Sequence, residues 1–382
     1  MFKKIAILFG LSFFIYIIPP GGFSAWSFES GIRWVYLFII AFLIFNLLYP
    51  LLEKIALRFN ILDFPNERKI HKIPVPRIGG LGIYLAFIFT LLRNFQFSRE
   101  IVGILIGSSI IFFLGFFDDI KSISAFKRLF VQLLAALIAV EMGLSIKFPV
   151  NWGFYGILLS YVISILWIVG ITNAFNFMDG IDGLASSMGV VISVIFLIVV
   201  VGTEQYKVMF ITASLCGSIC GFLIYNWNPA RIFLGDGGST FIGYVLACIG
   251  IYVSWANNNP VVAFSAPIMV LFIPIFDLIY TTISRIKNKQ IASIKQWLEY
   301  TGRDHLHHRL LLIGFSIRET ALFITLLNLL CGLIAITLVI KDENMRAYVS
   351  FLEIILLFII VVMIMLVARN KISTIEKNGE VK

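Results

Sequence analysis

Charged residues are scarce in this 382-residue chain: they make up 13% of it, whereas soluble domains carry roughly a quarter. The hydrophobic fraction is 60%, and the mean hydropathy is +0.97. So little charge excludes an ordinary soluble protein and leaves little chain for a separate soluble domain. Composition therefore predicts an all-α fold, a polytopic transmembrane helical bundle.

Cysteine is also rare, with four in the whole chain. Cys216, Cys220, Cys248 and Cys331 lie inside apolar runs and lack the spacing of zinc ligands. A disulfide framework is therefore excluded, and we expect these thiols to act as packing residues.

Long apolar runs fill most of the sequence, and each approaches the ~20 residues needed to cross the hydrocarbon layer. We expect about 11–12 transmembrane helices, with an extra N-terminal span and outer loop in 1–33, a main domain in 34–319, and a helix pair with a basic tail in 320–382. The candidate spans are 5–18, 34–52, 79–92, 101–117, 129–146, 155–175, 185–202, 208–225, 239–255, 261–283, 320–340 and 349–368.

The basic residues fall unevenly between the loops. If the N-terminus lies in the cytoplasm, 23 of the 30 Lys and Arg residues are on the inner side. Cytoplasmic loops of membrane proteins carry such an excess, so both termini are predicted to be cytoplasmic. Every polar motif described below then opens toward the same side of the membrane.

The first polar motif, ITNAFNFMDGIDGLA, covers residues 171–185. It places Asn173, Asn176, Asp179 and Asp182 three residues apart, so on one helix they would share a face. A polar cap explains one such residue at a helix end. A site for a divalent cation and its phosphates explains all four, and we favour that interpretation.

The second motif is the acidic pair Asp118 and Asp119 at the end of an apolar run. Adjacent carboxylates there are costly unless cations, water or a metal compensate them. They would organise a metal or handle a proton while Lys121, Lys127 and Arg128 bind phosphate. An interfacial acid pair neutralised by the neighbouring basic residues is the alternative.

The third motif, NWNPARIFLGDGGST, covers residues 226–240 and surrounds Asp236 with glycines. Free amides at a helix N-terminus favour phosphate, and an adjacent carboxylate favours a divalent ion. The alternative is a glycine-rich turn with an aspartate cap.

The fourth motif, RDHLHHR, covers residues 303–309 and contains three of the four histidines. They are too closely spaced for a tetrahedral zinc site without distant partners. With Arg303 and Arg309 they suit an anionic ligand, and the alternative is a plain basic loop.

Two further features stay open. Asp277 lies within an apolar span, where it is equally consistent with a helix-packing partner and with a site residue. The segment 60–80 is basic and rich in proline. It is equally consistent with a solvated loop, although Gly79 and Gly80 would allow close approach of a backbone or a ligand.

Carboxylates mixed with cations at one membrane face suit Mg²⁺-dependent phosphoryl transfer. The residues alone indicate a membrane enzyme that acts on a phosphorylated substrate, with a lipid as second substrate. A cation-coupled transporter is disfavoured because the acids lie at span ends rather than at the midplane. A non-catalytic lipid-binding scaffold is disfavoured because it has no need for Asn176 with Asp236.

Four segments resemble, in order, the signature of the polyprenyl-phosphate N-acetylhexosamine-1-phosphate transferases. They are FFDD (116–119), NAFNFMDGIDGLA (173–185), NPARIFLGDGGS (228–239) and HLHHR (305–309). The resemblance extends from about residue 34 to 319 and implies transfer of a sugar 1-phosphate from a UDP-sugar to undecaprenyl phosphate, releasing UMP.

The resemblance also implies roles for single residues. Asn176 and Asp236 would hold Mg²⁺ or Mn²⁺ at the diphosphate, and Asp118 or Asp119 would assist attack by the lipid phosphate as base, nucleophile or electrostatic support. The other implied catalytic residues are Asp179, His305, His307 and His308, and the implied substrate-binding residues are Lys121, Arg128, Asp182, Phe233 at the uracil, Arg303 and Arg309.

The sequences DFPNERKIH (63–71) and HLHHR resemble the bacterial branch that uses UDP-N-acetylglucosamine to start teichoic acid, O-antigen or a similar envelope glycan. The sugar donor stays open among UDP-N-acetylhexosamines. The expected partners are that donor, undecaprenyl phosphate and membrane lipid, with no nucleic acid. We also expect a homodimer, a location in the cytoplasmic membrane, and an active site facing the cytoplasm.

Overall fold

A computed structural model describes most of the chain between residues 31 and 360. The described residues are 31–65, 73–94, 97–148, 152–256, 259–300, 302, 304–340, 345–346, 348–353, 355–357 and 359–360. Within these ranges the chain is almost entirely helical. The strands described there are Leu62–Asp63 (β1) and Val75–Pro76 (β2), which pair antiparallel. The predicted helical class is confirmed.

Thirteen helices are labelled here in chain order. They are α1 (Arg33–Arg58), α2 (Gly79–Asn94), α3 (Arg99–Ile120), α4 (Ala125–Glu141), α5 (Gly153–Phe177), α6 (Leu184–Val200), α7 (Tyr206–Asn226), α8 (Gly235–Tyr252), α9 (Pro260–Val270), α10 (Phe272–Lys287), α11 (Ile294–Glu299), α12 (Leu306–Leu312) and α13 (Ile317–Val339).

Among the described residues, five helices (α1, α3, α5, α7 and α13) are long and apolar enough to cross a membrane. The shorter apolar helices include α2 and α6. The expected span 5–18 lies outside the described residues, and 349–368 lies partly outside them. The division of the chain at 33/34 and 319/320 stays a prediction.

The expected span 261–283 is divided between α9 and α10, which together are long and apolar enough for one span but are bent by 78° at their junction. Leu271 lies at the break and has φ −102° and ψ 18°. Pro274 follows in the first turn of α10 and has no N–H to donate to the carbonyl of Val270. Helix α10 contacts the histidine motif through Asp277 and Arg285.

Helix α8 forms the centre of the bundle and is buried almost throughout, packing against α2, α3 and α5. Gly115 of α3 crosses Gly237 of α8 so closely that a Cβ on Gly115 would lie 2.6 Å from the Gly237 Cα. Small residues permit such helix contacts in membranes. The crossing brings the last turn of α3, with its two aspartates, to the first turn of α8.

Each of the four cysteines is a free thiol. Cys216 and Cys248 are fully buried, and Cys220 and Cys331 are partly buried. The expectation of packing residues without a disulfide framework is confirmed.

Candidate active site

Arg77 lies between two carboxylates from distant parts of the chain. Its Nη2 is 3.0 Å from Oδ1 of Asp119 and 3.0 Å from Oδ1 of Asp236. The Asp119 side chain is only 4% exposed, whereas that of Asp236 is 31% exposed. A buried carboxylate needs a compensating charge. The guanidinium supplies it and ties the end of α3 to the start of α8.

Asp119 also caps α8 from outside that helix. Its Oδ1 accepts from the backbone N–H of Asp236 at 3.0 Å, and its Oδ2 accepts from that of Gly237 at 3.2 Å. The expectation that these N-terminal amides are free to bind phosphate is therefore wrong. A carboxylate already satisfies them, in the position that the helix dipole favours.

Asp118 has different partners, although it directly precedes Asp119 in the sequence. Its Oδ2 accepts from Nη1 of Arg128 at 2.8 Å, and its Oδ1 accepts from the backbone N–H of Ile123. The Asp118 side chain is 6% exposed, so this pair holds the α3–α4 turn closed. Lys121 in the same turn is exposed. Phosphate binding by Lys121 and Arg128 stays a prediction, and in this structure Arg128 is engaged with Asp118.

The four polar residues of the 171–185 motif do not share one helical face. Helix α5 ends at Phe177, and a turn precedes α6. Asn173 lies within α5, and its amide exchanges two hydrogen bonds, of 2.8 and 3.2 Å, with that of Gln132 on α4. Asn176 instead accepts from Oγ of Ser239 at 2.9 Å, which links it to the first turn of α8.

Asp179 and Asp182 lie in the turn between α5 and α6. Burial raises the pKa of Asp179 well above its usual range, Arg77 opposes the shift, and the charges of Asp236, Asp119 and Asp182 add to it. Asp182 accepts from Nδ2 of Asn228 at 2.9 Å and from the backbone N–H of Ala230 at 3.0 Å. It therefore holds the first part of the third motif in place.

The histidine motif is attached to α10 through Asp277, for which the sequence left two roles open. Its Oδ2 lies 2.6 Å from Nδ1 of His305, and its Oδ1 accepts from the backbone N–H of Leu306 at 2.7 Å. On the other side of the ring, Nε2 of His305 lies 3.2 Å from Nη2 of Arg285. His305 is thus held at both nitrogens. Asp277 connects α10 to the loop that was predicted to bind substrate.

Arg285 is itself almost fully buried and makes two hydrogen bonds of 2.8 Å to the carboxylate of Asp304. Its guanidinium also lies 4.5 Å from the ring centroid of Tyr300. Burial alone would raise the pKa of Asp304, but the hydrogen bonds and charge of Arg285 lower it below its usual range. The chain of contacts from Asp277 to Asp304 fixes the segment just before α12.

His307 has a different environment. Its side chain is 1% exposed, and neither ring nitrogen has a hydrogen-bond partner. Nε2 packs against Gly180, where an added Cβ would lie 2.0 Å from it. Burial, together with the nearby charges of His308 and His305, lowers the pKa of His307 to about 3. A buried imidazole without partners beside the acidic turn suits a ligand that is not part of the protein.

The remaining predicted residues lie around this centre. His308 is half-buried, with its ring centroid 4.2 Å from that of His307. Nε of Arg309 donates to the Asp304 carbonyl at 2.7 Å, and its guanidinium lies 4.9 Å from the Tyr280 ring centroid. Phe233 is half-buried beside Asp236. Arg303 lies outside the described residues.

The order of the motifs has a counterpart in known proteins. Residues 101–254 match the model of glycosyl transferase family 4. A probable undecaprenyl-phosphate N-acetylglucosaminyl 1-phosphate transferase of Bacillus subtilis (strain 168) is 34% identical over 357 residues, which cover 89% of this chain and 93% of that protein. This chain belongs to glycosyl transferase family 4.

Other relatives extend the comparison. A decaprenyl-phosphate N-acetylglucosaminephosphotransferase of Mycobacterium leprae (strain TN) is 32% identical over 305 residues, 71% of this chain and 75% of that protein. An undecaprenyl-phosphate alpha-N-acetylglucosaminyl 1-phosphate transferase of Yersinia pestis is 27% identical over 318 residues, 81% of this chain and 83% of that protein. These members of glycosyl transferase family 4 transfer a sugar phosphate to a prenyl phosphate.

The oxygen donors of this family 4 site suit a hard divalent cation such as Mg²⁺. Ser239 ties the amide oxygen of Asn176 to the helix turn that carries the Asp236 carboxylate. No group of three or more His, Cys, Asp and Glu residues arranged as metal ligands occurs in the described part of the chain. A site with few protein ligands still suits Mg²⁺, which usually keeps several waters and binds substrate phosphates.

Two cations of the family 4 site were not singled out from the sequence. Arg77 was counted among the basic residues of a loop, although the Gly79 and Gly80 that follow it signal a close backbone approach. Arg285 lies eight residues after Asp277, and both are buried on one face of α10 with Thr281 between them. The spacing of four residues from Asp277 to Thr281 and from Thr281 to Arg285 places all three on one helical face, and that pattern could have identified Arg285 from the sequence.

Proposed function

We propose that this protein transfers N-acetylglucosamine 1-phosphate from UDP-N-acetylglucosamine to undecaprenyl phosphate and releases UMP. The observation that carries the proposal is the convergence of segments far apart in sequence, in which Arg77 joins Asp119 to Asp236. The sugar is supported by the activities for which the B. subtilis, M. leprae and Y. pestis relatives are named. Such a reaction would start a cell-envelope glycan, teichoic acid or O-antigen being examples of the class.

In the reaction, an oxygen of the lipid phosphate bonds to the phosphorus that carries the sugar. The bond from that phosphorus to the bridging oxygen breaks, and UMP leaves with the electron pair. Little covalent chemistry is required of the protein, so its residues act mainly by positioning and charge. Asp119 holds α8 in place by capping it. His307 is neutral and both of its nitrogens are unpaired, so a phosphoryl or sugar oxygen that reaches this buried ring would find an unused donor and an unused acceptor.

We further propose that Asn176 and Asp236 hold Mg²⁺, for which Mn²⁺ can substitute. When bound, the ion supplies positive charge against the diphosphate oxygens. Asp236 is the more exposed of the two carboxylates at Arg77, which suits a residue that meets a ligand from outside. Asp179, with its raised pKa, is an acid able to exchange a proton at this site.

We also propose that the site opens to the cytoplasm and that both chain termini lie there. The bias of Lys and Arg toward the loops on the site's side supports this orientation. The cytoplasmic membrane is then the location, because the nucleotide sugar is a cytoplasmic metabolite. A homodimer stays a prediction.

The test is UMP release by the full-length protein purified in detergent. Undecaprenyl phosphate and Mg²⁺ would be supplied with UDP-N-acetylglucosamine or another UDP-N-acetylhexosamine in parallel. We expect UMP only when donor, lipid and Mg²⁺ are all present, and fastest release with UDP-N-acetylglucosamine. Faster release with another donor would correct the sugar, and no release with any donor would remove the proposed reaction.

Asp236→Asn provides the matching test of the metal. We expect UMP release to fall by at least about 10³-fold, because the ligand charge and its support of the diphosphate are both lost. Glu53→Gln, which changes an acid at the inner end of α1, is the control and should retain activity. Normal turnover by Asp236→Asn at saturating Mg²⁺ would remove this residue from the metal site.

A further inference from the structure

The position of Arg77 is fixed by backbone hydrogen bonds rather than by its side chain alone. Its own N–H donates to the carbonyl of Ile61 at 3.1 Å. The flanking residues run alongside the loop before α8, with the Phe233 N–H donating to the Pro76 carbonyl at 2.8 Å and the Gly79 N–H donating to the Phe233 carbonyl at 2.9 Å. The segment that carries Arg77 and the loop that leads into Asp236 therefore form one unit.

Arg77 also meets the carboxylate that is proposed to bind the metal. Its Nη2 contacts Oδ1 of Asp236, whereas the nearby guanidinium of Arg128 is engaged with Asp118. A divalent ion at Asp236 would repel a guanidinium within 3.0 Å of the same oxygen. The Arg77 side chain is 36% exposed, so it has space to turn outward.

We infer that Arg77 is a built-in counter-cation of the Asp119–Asp236 pair, which holds the two carboxylates together before metal binds and competes with the metal for Asp236. With a divalent ion held by Asp236, the guanidinium of Arg77 would keep its contact with Asp119 and would be free to turn toward the transferred phosphate. Arg77 is thus a positioning residue for the reaction. This inference rests on the proposed function, because it requires a divalent ion at Asp236.

Removing the charge of Arg77 should have two opposite effects: competition with the metal predicts tighter Mn²⁺ binding, and positioning of the phosphate predicts slower turnover. Without the positive charge of Arg77, the carboxylates attract a divalent ion more strongly, so Arg77→Gln should lower the dissociation constant for Mn²⁺ on the order of tenfold. The same variant should lower kcat by about 10²-fold, because the phosphate loses a positioned cation. Arg77→Lys retains the charge and should recover part of kcat, with Mn²⁺ affinity near that of the wild type.

The experiment measures Mn²⁺ binding by electron paramagnetic resonance of the free ion, with full-length protein in detergent and no substrates. Arg128→Gln is the matched control, because it removes a guanidinium bonded to Asp118 rather than to Asp236. It should leave the Mn²⁺ affinity within about twofold. Arg77→Met is a second neutral variant in case Arg77→Gln does not fold, as judged by its melting curve.

Three results are distinguishable. Tighter Mn²⁺ binding together with slower UMP release in a neutral Arg77 variant supports the inference. Wild-type protein that binds Mn²⁺, with folded neutral variants that bind it equally or more weakly, would overturn the inference and leave the proposed function standing. No Mn²⁺ binding by the wild type would overturn both the inference and the metal site of the proposed function.

Discussion

His307 should make the stability of this protein fall in mildly acidic solution. The imidazole is 1% exposed and has no hydrogen-bond partner at either nitrogen. Burial and the neighbouring histidine charges lower its pKa from 6.5 to about 3. The folded protein therefore keeps this ring neutral at a pH where the unfolded chain protonates it. A group that binds more protons when unfolded favours unfolding as the pH falls.

The size of the effect follows from the two pKa values. The stabilisation is fully present above pH 6.5 and is lost progressively as the pH falls toward about 3. Between pH 7.5 and pH 5.5 the unfolded imidazole passes from about one-tenth to about nine-tenths protonated, which costs about 1.4 kcal/mol of folding free energy. For a protein of this size the corresponding shift in Tm is about 2 °C.

The assay compares thermal unfolding of the wild type and His307→Gln in detergent at the two pH values. Other groups titrate in this range, so the informative quantity is the difference between the two proteins in the shift from pH 7.5 to pH 5.5. We expect the wild type to lose about 1.4 kcal/mol more than His307→Gln does. His308→Gln is the matched control, because it changes a neighbouring imidazole that is only half-buried.

Parallel pH profiles for the wild type and His307→Gln would refute the reasoning. They would mean that His307 becomes protonated in the folded protein, through water or a partner that reaches its ring. A wild type that loses less stability than His307→Gln between the two pH values would refute it as well, because the folded ring would then bind its proton more tightly than the unfolded one.

Three further predictions concern the surroundings of this histidine and the nucleotide. Asp277→Asn should lower stability by about 1.5–3 kcal/mol and slow UMP release, because the charge-assisted contact with His305 is lost; an unchanged Tm would contradict this. Gly180→Ala should lower the free energy of unfolding by about 1–3 kcal/mol, because its Cβ would overlap Nε2 of His307. A denaturant titration measures this change, and a midpoint equal to that of the wild type would show that the ring moves freely. Phe233→Leu should raise KM for the UDP-sugar about tenfold with kcat within a few-fold, and an unchanged KM would exclude stacking on uracil.

Much of the fold follows from local patterns in the sequence. Runs of about 20 apolar residues require helices, because the hydrocarbon layer cannot hydrogen-bond an exposed backbone. The expected runs that lie wholly within the described residues accordingly match helices there, and 261–283 corresponds to the bent pair of α9 and α10. In that segment Pro274 indicated a kink, but the sequence does not predict the angle of a bend at a proline. The 78° angle depends on how α9 and α10 pack against the rest of the bundle.

The candidate site was less accessible from local sequence. Asp118 and Asp119 are adjacent and chemically identical, yet one pairs with Arg128 and the other caps α8 and contacts Arg77. Similarly, the regular spacing that grouped Asn173 with the acids assumed a helix that in fact ends at Phe177. Spacing along a chain indicates a shared face only while the helix continues.

Composition and motif order by themselves determined that this is a helical membrane protein with a phosphoryl-transfer signature, because apolar length and residue chemistry are local properties. Only the tertiary structure decided the partner of each charged group. The hydrogen bond from the Asp236 N–H to Asp119 joins residues 117 apart in the sequence, and Arg77 lies 159 residues from Asp236. Such contacts depend on the close crossing of α3 and α8 at glycines, and no local pattern of residues specifies which helices cross.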